Sequence, residues 1–567
     1  MRGFGDAGTL ERIARARHGE AAQAFAEALP HGTLRELLRA RRADAARPFL
    51  VHYDAARSQI PYGAFLARVA ARARRLAALG VGRGDRVATL MRNHPEAAVT
   101  GFAAWALGAT VVPCNPDEED ARLAFVLEDA QAVAVWVLPE LEARGEALRA
   151  HAPSVRHWMR AEPEPDAETA RPDDLDDLPA PEPEDEALVV YTSGTTGPPK
   201  GVVLTQRNLL VDAEAIRRWN GLDRNSRMMC VLPLHHVNGL VVTLVTPFVA
   251  GARVVLNRRF QTETFWLRLA DERVNVVSVV PTMLAFLLED REGPGARDLS
   301  ALRHLICGAG PLPVELAARF EERFGFRVVH GYGLSETSAY ACMLPVDLPP
   351  DAHRRWMREH GFPSVGVPLP ANEMAIHDEH GRARGPGERG EIVIRGANVM
   401  KGYHARPDAN AEAFAHGWFR SGDEGFFLSG DDGRPFFFIT GRIKELIIRA
   451  GVNLSPFEID EVLNGIPGVA RGVAVGFENR FYGEEVGAFV VREPGATLDE
   501  EAVRAACAER LPFAKRPKVV VFGEALPFTS TGKIQRMRLR PHFERWRDVQ
   551  FRDRAWRPTP RPPARRG

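Results

Sequence analysis

The 567-residue sequence has little cysteine, no net charge and no long apolar run. Its five cysteines form no Cys-x-x-Cys pair, which excludes a disulfide scaffold or a structural zinc site as the basis of the fold. Acidic and basic residues number 74 each, which argues against a nucleic-acid binder or a membrane-surface protein. The most apolar stretch, Gly239 to Ala252, is too short to span a bilayer, and residues 1–20 lack a signal-peptide core. We expect a cytoplasmic protein without a membrane span.

Lysine is also scarce, because only six of the 74 basic residues are lysines, at positions 200, 401, 444, 515, 518 and 533. In a chain that otherwise uses arginine, a lysine suggests a site that needs a compact point charge rather than a planar guanidinium. A single phosphate oxygen in a tight site is such a case. For any one lysine, chance is the alternative explanation.

The length predicts two or more domains, and the apolar pattern predicts an α/β fold. Apolar runs at 49–52, 87–91 and 132–137 alternate with helical patterns, which indicates parallel strands joined by crossover helices. Residues 161–187 hold twelve acids, six prolines and one arginine, and we predict an exposed, poorly structured linker there. Glycine-punctuated strands at about 361–440 predict a small antiparallel β-barrel or sheet.

We place the domain boundary near residue 443. Residues 1–443 are predicted to form a large N-terminal domain of doubly wound sheets with the small β-barrel, and residues 444–546 a smaller mobile α+β domain. Ser455-Pro-Phe-Glu458 is a capping box with proline at the first helical position, so a helix is predicted to begin there. Residues 547–567 mix arginine and proline and are predicted to form a disordered tail.

The stretch from Tyr191 to Gly201 reads YTSGTTGPPKG and suggests a phosphate-binding loop. Glycine lets backbone N–H groups surround an anion, and serine and threonine add hydroxyl donors. It is not a Walker A motif, because Lys200 is followed by glycine rather than by serine or threonine. From the loop alone, a glycine-rich β-turn between two strands is an equal alternative.

The loop resembles the signature of the adenylate-forming superfamily, which includes the acyl-CoA synthetases and other AMP-dependent synthetases and ligases. Further segments that resemble the family's motifs follow in the family's order, at Leu232–Gly239, Gly331–Thr337, Trp418–Gly425, Gly441–Glu445 with Gly451, and Leu526–Arg536. In the first 180 residues no family motif is recognised, and the likeness is only in the alternation of strand and helix patterns. The resemblance implies that ATP and a carboxylic acid form an acyl-AMP with release of pyrophosphate, and that the acyl group then passes to CoA.

The resemblance also implies a nucleotide site built from several segments. Residues implied to hold the β- and γ-phosphates are Thr192, Ser193, Gly194, Thr195, Thr196, Gly197 and Lys200. Residues implied to contact the rest of the nucleotide are Gly308, Ala309, Gly310, Gly331, Tyr332, Gly333, Ser335, Asp423 and Arg442. Among these, Tyr332 would offer a flat face to adenine, and Asp423 would accept hydrogen bonds from the ribose hydroxyls.

Catalytic roles are implied for five residues. Glu336 would bind Mg²⁺ through its carboxylate, and the Lys533 ammonium would stabilise the charge that develops as the acid attacks the α-phosphate. Thr195 and Lys200 would act on the leaving pyrophosphate, and His236 would lie near the bound carboxylate. The ordinary alternatives are a helix-terminal acid for Glu336 and a structural histidine for His236.

Second-step roles and an acyl pocket are implied as well. The C-terminal domain would swing about Lys444 after adenylation, and Gly451 would leave room for the pantetheine arm of CoA. The implied pocket walls are His236, Val237, Asn238, Cys307, Gly308, Ser338 and Ala339.

Four questions stay open at the level of sequence. The acyl acceptor could be CoA, a carrier-protein thiol supplied in trans, or an amine, and CoA is preferred on family frequency alone. A catalytically silent nucleotide-binding protein is the alternative from another class, against which the joint presence of Glu336, Asp423 and Lys533 argues. The identity of the acid is not predicted, nor is the choice between monomer and homodimer.

Overall fold

The computed structural model of the chain describes residues 3–192, 199–528 and 534–551. The described residues fall into two compact units, with the boundary between Ile439 and Thr440. The larger unit therefore comprises residues 3–439, and the smaller comprises the described residues from 440 to 551. The sequence-based boundary at residue 443 lies a few residues further along the chain.

Strands make up both units. In chain order the strands of the described residues are β1 (Pro48–Tyr53), β2 (Arg57–Pro61), β3 (Arg86–Leu90), β4 (Thr110–Cys114), β5 (Ala134–Val137), β6 (His157–Arg160), β7 (Glu186–Thr192), β8 (Lys200–Thr205), β9 (Arg227–Cys230), β10 (Arg253–Asn257), β11 (Val276–Val279), β12 (His304–Cys307), β13 (Arg327–Tyr332), β14 (Cys342–Met343), β15 (Val367–Pro368), β16 (Asn372–His377), β17 (Gly390–Gly396), β18 (Gly402–Tyr403), β19 (Phe419–Ser429), β20 (Pro435–Arg442), β21 (Ile447–Arg449), β22 (Val452–Leu454), β23 (Val469–Asn479), β24 (Gly483–Arg492) and β25 (Val519–Phe522).

Helices connect these strands. The α-helices of the described residues are α1 (Ala7–Arg17), α2 (Glu20–Glu27), α3 (Leu34–Ala40), α4 (Tyr62–Ala78), α5 (Pro95–Ala106), α6 (Asp120–Asp129), α7 (Glu142–Arg149), α8 (Gln206–Trp219), α9 (Thr246–Ala250), α10 (Thr262–Asp271), α11 (Pro281–Glu289), α12 (Val314–Phe324), α13 (Pro350–Arg358), α14 (Pro407–Ala413), α15 (Pro456–Asn464) and α16 (Glu500–Arg510). A π-helix, Asn238–Val245, precedes α9, and short 3-10 turns include Ser335–Thr337 and Ile443–Glu445. Within the described residues, no helix is both long and apolar enough to cross a bilayer.

Two largely parallel sheets form the core of the larger unit. One has the order β15-β14-β13-β12-β11-β9-β10-β1-β2, and the other has the order β18-β8-β7-β4-β3-β5-β6. Strands β9 to β13 pair in parallel, as do β3 to β6. The helices that join them bury their apolar faces on the sheets, as on α4, where Phe65, Val69 and Leu76 are fully buried. The predicted α/β fold with parallel strands is confirmed.

The glycine-punctuated region forms a four-stranded antiparallel sheet with the order β16-β17-β19-β20. This confirms the antiparallel prediction for residues 361–440. The sheet order is open, so the arrangement of the described residues is a sheet rather than a closed barrel.

The smaller unit is α+β, as predicted. Its five-stranded sheet has the order β22-β21-β24-β23, with β25 paired to β24. Helix α15 begins at Pro456, and the Ser455 side chain accepts a hydrogen bond from the Glu458 N–H, which confirms the predicted helix start. Helices α15 and α16 bury Ile459, Leu463 and Val503 against the sheet.

Residues 161–187, predicted to be an exposed, poorly structured linker, have little regular secondary structure and many exposed side chains, but the segment is packed on the larger unit at several points. Ala161 and Leu175 are buried there, and a short helical turn, Pro172–Leu175, packs on α4. The acidic side chains of the segment meet arginines of α4: Arg72 bonds to Glu164, and Arg74 bonds to Asp174 at 2.7 Å. Composition alone missed this packing because the opposite charges lie about ninety residues earlier in the chain.

The predicted tail begins later than residue 547. The Tyr482 hydroxyl donates to the Phe551 carbonyl at 2.7 Å, and the Phe551 side chain is buried. Residues 547–551 are therefore packed on the smaller unit, and residues 552–567 lie outside the described residues.

Candidate active site

The predicted site segments follow adjacent parallel strands of the larger sheet. The segment Leu232–Gly239 follows β9, Gly308–Gly310 follow β12, and Gly333–Glu336 follow β13. Because β13, β12, β11 and β9 are neighbours and parallel, their carboxyl ends lie at one edge of the sheet. That edge is where open α/β sheets bind ligands. The topology thus brings together segments that are far apart in sequence.

Glu336 lies at this edge in the segment that follows β13. It sits in the turn Ser335–Thr337, and its side chain is 9% exposed. The Tyr403 hydroxyl donates to Glu336 Oε1 at 2.8 Å. The Lys200 ammonium lies 4.9 Å from the centre of the Tyr403 ring. Tyr403 therefore contacts both the Glu336 carboxylate, expected to bind magnesium, and the Lys200 ammonium, expected to bind phosphate.

A second pair joins two residues that the sequence assigned to the nucleoside. The Tyr332 hydroxyl, at the end of β13, donates to Asp423 Oδ2 at 2.6 Å. Asp423 is 3% exposed, and its backbone N–H donates to the Ser421 hydroxyl at 3.0 Å. The Ser421 hydroxyl in turn donates to the Ile392 carbonyl at 2.6 Å. Strands β17 and β19 thus fix the aspartate beside the aromatic ring.

The phosphate-binding loop is framed by an antiparallel pair of strands. Thr192 ends β7 and pairs with Lys200, which begins β8. The predicted phosphate ligands Ser193, Gly194, Thr195, Thr196 and Gly197 lie outside the described residues. The β-turn alternative also falls on those residues.

The histidine segment is folded tightly back on itself. A Cβ atom at Gly239 would lie 2.1 Å from the Pro233 carbonyl oxygen, so only glycine fits there. The His235 and His236 rings stack edge to face with centres 4.4 Å apart. Both histidines are partly exposed, and desolvation of the His235 imidazole lowers its pKa to about 3. His235 is therefore neutral at physiological pH.

The predicted acyl-pocket walls differ in their exposure. Asn238 is partly exposed and accepts a hydrogen bond from the Ser278 hydroxyl at 2.8 Å. Val237, Cys307, Gly308 and Ala339 are buried at the same sheet edge. Ser338 is different, because it is fully buried and its hydroxyl donates to the Asn398 carbonyl at 2.8 Å. Ser338 therefore shapes the turn rather than presenting its hydroxyl to a ligand.

The predicted nucleotide residue Arg442 and the predicted second-step residues Lys444 and Gly451 lie in the smaller unit. Arg442 ends β20, and Lys444 is exposed in the following turn, Ile443–Glu445. Gly451 is exposed at φ +81°, with no atom within 4 Å of a Cβ at that position. This is a conformation that glycine adopts without strain. Lys533 lies outside the described residues.

Three residues at the site were missed by sequence reasoning. Tyr403 contacts Glu336 across 67 positions of sequence, and no motif links the two. Asn398 lies within hydrogen-bond distance of Asp212 and of the Tyr340 carbonyl, both at 3.2 Å. Burial raises the pKa of the Asp212 carboxyl well above its usual range, although hydrogen bonds from Asn398 and from the Tyr340 N–H oppose that shift.

A groove of about 760 Å³ opens beside the same strand ends. It is lined by segments that follow β9 and β11, together with Arg92, Arg258 and Arg259. Arg92 bonds to Asp117 through two nitrogens, at 2.7 and 3.0 Å, whereas Arg259 is exposed. The groove therefore combines an apolar floor with a cationic rim.

The site's fit to magnesium rests on Glu336. No cluster of three or more potential metal-binding side chains occurs in the described part of the chain, so those residues do not form a complete protein cage for a metal. A single buried carboxylate instead suits Mg²⁺ that arrives with nucleotide phosphates and keeps several water ligands.

Two family models match the chain. The model described as AMP-binding enzyme matches residues 39–404, and the model described as AMP-binding enzyme C-terminal domain matches residues 458–533. Both matched ranges include segments that the sequence motifs had singled out.

Named relatives cover most of the chain. It is 37% identical to the sulfoacetate–CoA ligase of Cupriavidus necator over 503 residues, which is 88% of this chain and 95% of that protein. It is 35% identical to a feruloyl-CoA synthase of an Amycolatopsis species over 488 residues, 85% of this chain and 94% of that protein. The fold resembles ATP-bound MatB from Rhodopseudomonas palustris with a TM-score of 0.80 and 27% identity, over 90% of this chain and 99% of that one.

Proposed function

Because the chain belongs to the AMP-binding enzyme family, we infer that it is an AMP-forming carboxylate–CoA ligase. In the first half-reaction a carboxylate oxygen attacks the α-phosphorus of ATP, and pyrophosphate leaves. In the second half-reaction the CoA thiol attacks the acyl carbonyl, and AMP leaves. The family match and the relatives support this reaction class, and we propose the individual residue roles from the geometry of the site.

The observation that most supports adenylation is the group formed by Glu336, Tyr403 and Lys200. Two anions must approach each other when a carboxylate attacks a phosphate, so the site has to supply positive charge and hydrogen-bond donors. Lys200 provides a point charge for the leaving phosphates. Glu336 would hold the magnesium ion that ATP brings, and the Tyr403 hydroxyl fixes one oxygen of that carboxylate.

The nucleoside is proposed to bind at Tyr332 and Asp423. The tyrosine ring gives adenine a flat apolar face. The Asp423 carboxylate has one oxygen engaged by the Tyr332 hydroxyl at 2.6 Å and can accept further hydrogen bonds from ribose hydroxyls. Thr195, Lys533 and His236 keep their proposed catalytic roles at the leaving group, at the α-phosphate and near the acid.

The cationic groove supports CoA as the acyl acceptor. CoA carries a diphosphate and a 3′-phosphate, and arginine is well suited to bind phosphate oxygens. Arg259 is exposed on the groove rim, while Arg92 is already paired with Asp117. We expect Arg259→Ala to raise the KM for CoA several-fold and to leave adenylation unchanged, with exposed Arg319→Ala as the matched control.

The decisive test is a two-part assay. Acid-dependent exchange of ATP with labelled pyrophosphate measures adenylation, and supplying CoA, a holo carrier protein or an amine separately to the acyl-AMP identifies the acceptor. We expect exchange with an accepted acid and thioester formation with CoA. Exchange in the absence of acid, or product formation with the amine alone, would contradict the proposal. A cytoplasmic location and the choice between monomer and homodimer stay predictions.

A further inference from the structure

The two relatives named above act on acids of very different size, so their names leave the acyl group of this chain open. Sulfoacetate has a two-carbon acyl part, whereas ferulate is a phenylpropenoate. The side chains at the proposed acyl pocket therefore have to decide between a short and a long substrate.

Tyr340 occupies the space that two glycines leave free at the sheet edge. A Cβ atom at Gly308 would lie 2.6 Å from the Tyr340 hydroxyl oxygen and 2.9 Å from its Cε1. A Cβ atom at Gly331 would lie 2.8 Å from the same Cε1. The ring thus fills the space beside the end of β12 and beside β13 that these two glycines leave open.

The Tyr340 ring is firmly held in this position. Its side chain is 2% exposed, and its backbone N–H donates to Asp212 Oδ2 at 3.4 Å. Its carbonyl accepts from Asn398 Nδ2 at 3.2 Å. Because the ring itself is buried in a close-packed interior, it is held in place and sets a limit on the depth of the pocket.

Polar groups surround the end of the ring. The side chains of Ser278 and Asn238 lie beside the Tyr340 hydroxyl. The Ser278 hydroxyl is used in a 2.8 Å hydrogen bond to Asn238 Oδ1. The Tyr340 hydroxyl is buried and has no partner at full hydrogen-bond geometry within the described part of the chain, although it interacts with the polar side chains of Ser278 and Asn238. A ligand atom that accepts its hydrogen would supply the well-aligned bond that these neighbours do not.

Resting on the proposed function, we propose that Tyr340 is the specificity-determining residue for the acid, and that the acid is short and ends in a hydrogen-bond acceptor. The ring excludes long aliphatic and bulky aryl groups by volume. The Tyr340 hydroxyl and the Asn238 amide donate to the far end of an acid of about two or three carbons, such as a hydroxyl, carboxylate or sulfonate group.

The test measures kcat/KM for acid-dependent pyrophosphate exchange with glycolate, sulfoacetate, hexanoate and ferulate. We expect the wild-type enzyme to favour glycolate or sulfoacetate by at least about tenfold over hexanoate and ferulate. Tyr340→Ala should raise kcat/KM for hexanoate about tenfold or more, because the pocket deepens. Tyr340→Phe should lower kcat/KM for the short acids about tenfold without admitting hexanoate, because it removes a donor and keeps the volume.

Tyr53→Phe is the matched control, since it removes the hydroxyl of a tyrosine that bonds to Glu272 away from the site, and it should leave the acid preference unchanged. If Tyr340→Ala does not fold, Asn238→Ala replaces it and should reduce kcat/KM for the short acids selectively. Preference of the wild-type enzyme for hexanoate or ferulate would overturn the role of Tyr340 while leaving adenylation intact. Exchange with no acid at all would refute the proposed function and the acid assignment together.

Discussion

At the scale of single residues, Glu336 is the group on which the proposed magnesium chemistry depends. Glu336 is almost fully buried, and its carboxylate accepts a hydrogen bond from the Tyr403 hydroxyl. We predict that Glu336→Gln lowers pyrophosphate exchange roughly 10²- to 10³-fold, the usual loss when one electrostatic contact to the transition state is removed. The amide should also raise the Mg²⁺ concentration for half-maximal rate, which a magnesium titration of the exchange rate measures.

Tyr403→Phe tests whether the hydrogen bond from Tyr403 orients the Glu336 carboxylate, because the variant leaves the carboxylate itself in place. The variant keeps the ring beside Lys200 and removes only the hydroxyl, so we expect a loss of about five- to tenfold, equivalent to one hydrogen bond. Glu322→Gln is the control for Glu336→Gln, because it replaces an exposed carboxylate with the same amide. If Glu336→Gln leaves the magnesium titration unchanged, the metal is held by other groups.

The contrast between Glu336 and Tyr403 shows what the sequence can reveal about a site. Glu336 belongs to a recognisable motif, whereas Tyr403 is placed by the pairing of β18 with β8, in which Tyr403 opposes Val202. Such a pairing is a property of the folded sheet and leaves no local pattern in the chain. The same holds for Tyr340, whose ring reaches Gly308 only because β12 and β13 are adjacent.

At the scale of elements, local patterns predicted the strands well and predicted charge-rich segments badly. The apolar runs at 49–52 and 87–91 lie within β1 and overlap β3, because buried parallel strands need continuous apolar residues. The acidic segment 161–187 is packed more closely than its composition predicts, because arginines of α4 pair with its carboxylates. The composition of a segment gives its net charge, but it does not show which oppositely charged side chains from elsewhere in the chain lie next to it in the fold.

Arg72 on α4 links the acidic segment 161–187 to the larger unit through its ion pair with Glu164. It is fully buried, bonds to Glu96 at 2.9 Å and contacts Glu164. Removing one partner leaves buried carboxylates without a counter-charge, so we predict that Arg72→Met lowers the free energy of unfolding by about 3–5 kcal/mol. Urea unfolding followed by circular dichroism measures the loss.

Arg75 on the same helix provides the comparison, since it is exposed. Arg75→Ala should change the free energy of unfolding by less than about 0.5 kcal/mol. Equal stability of Arg72→Met and Arg75→Ala would mean that the segment 161–187 contributes little to the larger unit.

At the scale of the whole molecule, buried histidines make the larger unit sensitive to acid. Burial lowers the pKa of His235 and His304 to about 3, and of His94 and His330 to about 4. The unfolded chain, with a histidine pKa near 6.5, then binds more protons than the folded chain below that pH. Stability is therefore complete above pH 6.5 and falls as the pH drops, by about 1.4 kcal/mol per histidine between pH 7.5 and 5.5.

His304→Gln tests this dependence, because the amide can keep a hydrogen bond to Asn220, which His304 contacts at 2.8 Å, but cannot take up a proton. We expect the variant to lose about 1.4 kcal/mol less than the wild type between pH 7.5 and 5.5 in urea unfolding. The exposed His380→Gln should follow the wild-type curve. Parallel curves for all three proteins would place the acid sensitivity in other groups.

The division of labour between the two half-reactions is also a property of the whole molecule. Lys533 is proposed to act in adenylation only, so Lys533→Ala should lower pyrophosphate exchange roughly 10²- to 10³-fold and largely spare transfer from a supplied acyl-AMP. Equal damage to both half-reactions would contradict that division.

Lys444→Pro should have the opposite effect. Lys444 is exposed in a 3-10 turn, whose φ values of about −50° to −70° proline can adopt, so the substitution is compatible with the turn described here. The ring then holds φ near −65° and prevents the backbone change that the resemblance assigns to this position between the two steps. We predict that exchange is kept and thioester formation is lost, measured on the same preparation with a supplied acyl-AMP. Lys444→Ala, which leaves φ free, should retain both steps, and thioester formation by Lys444→Pro at the wild-type rate would show that no rotation at this residue is needed.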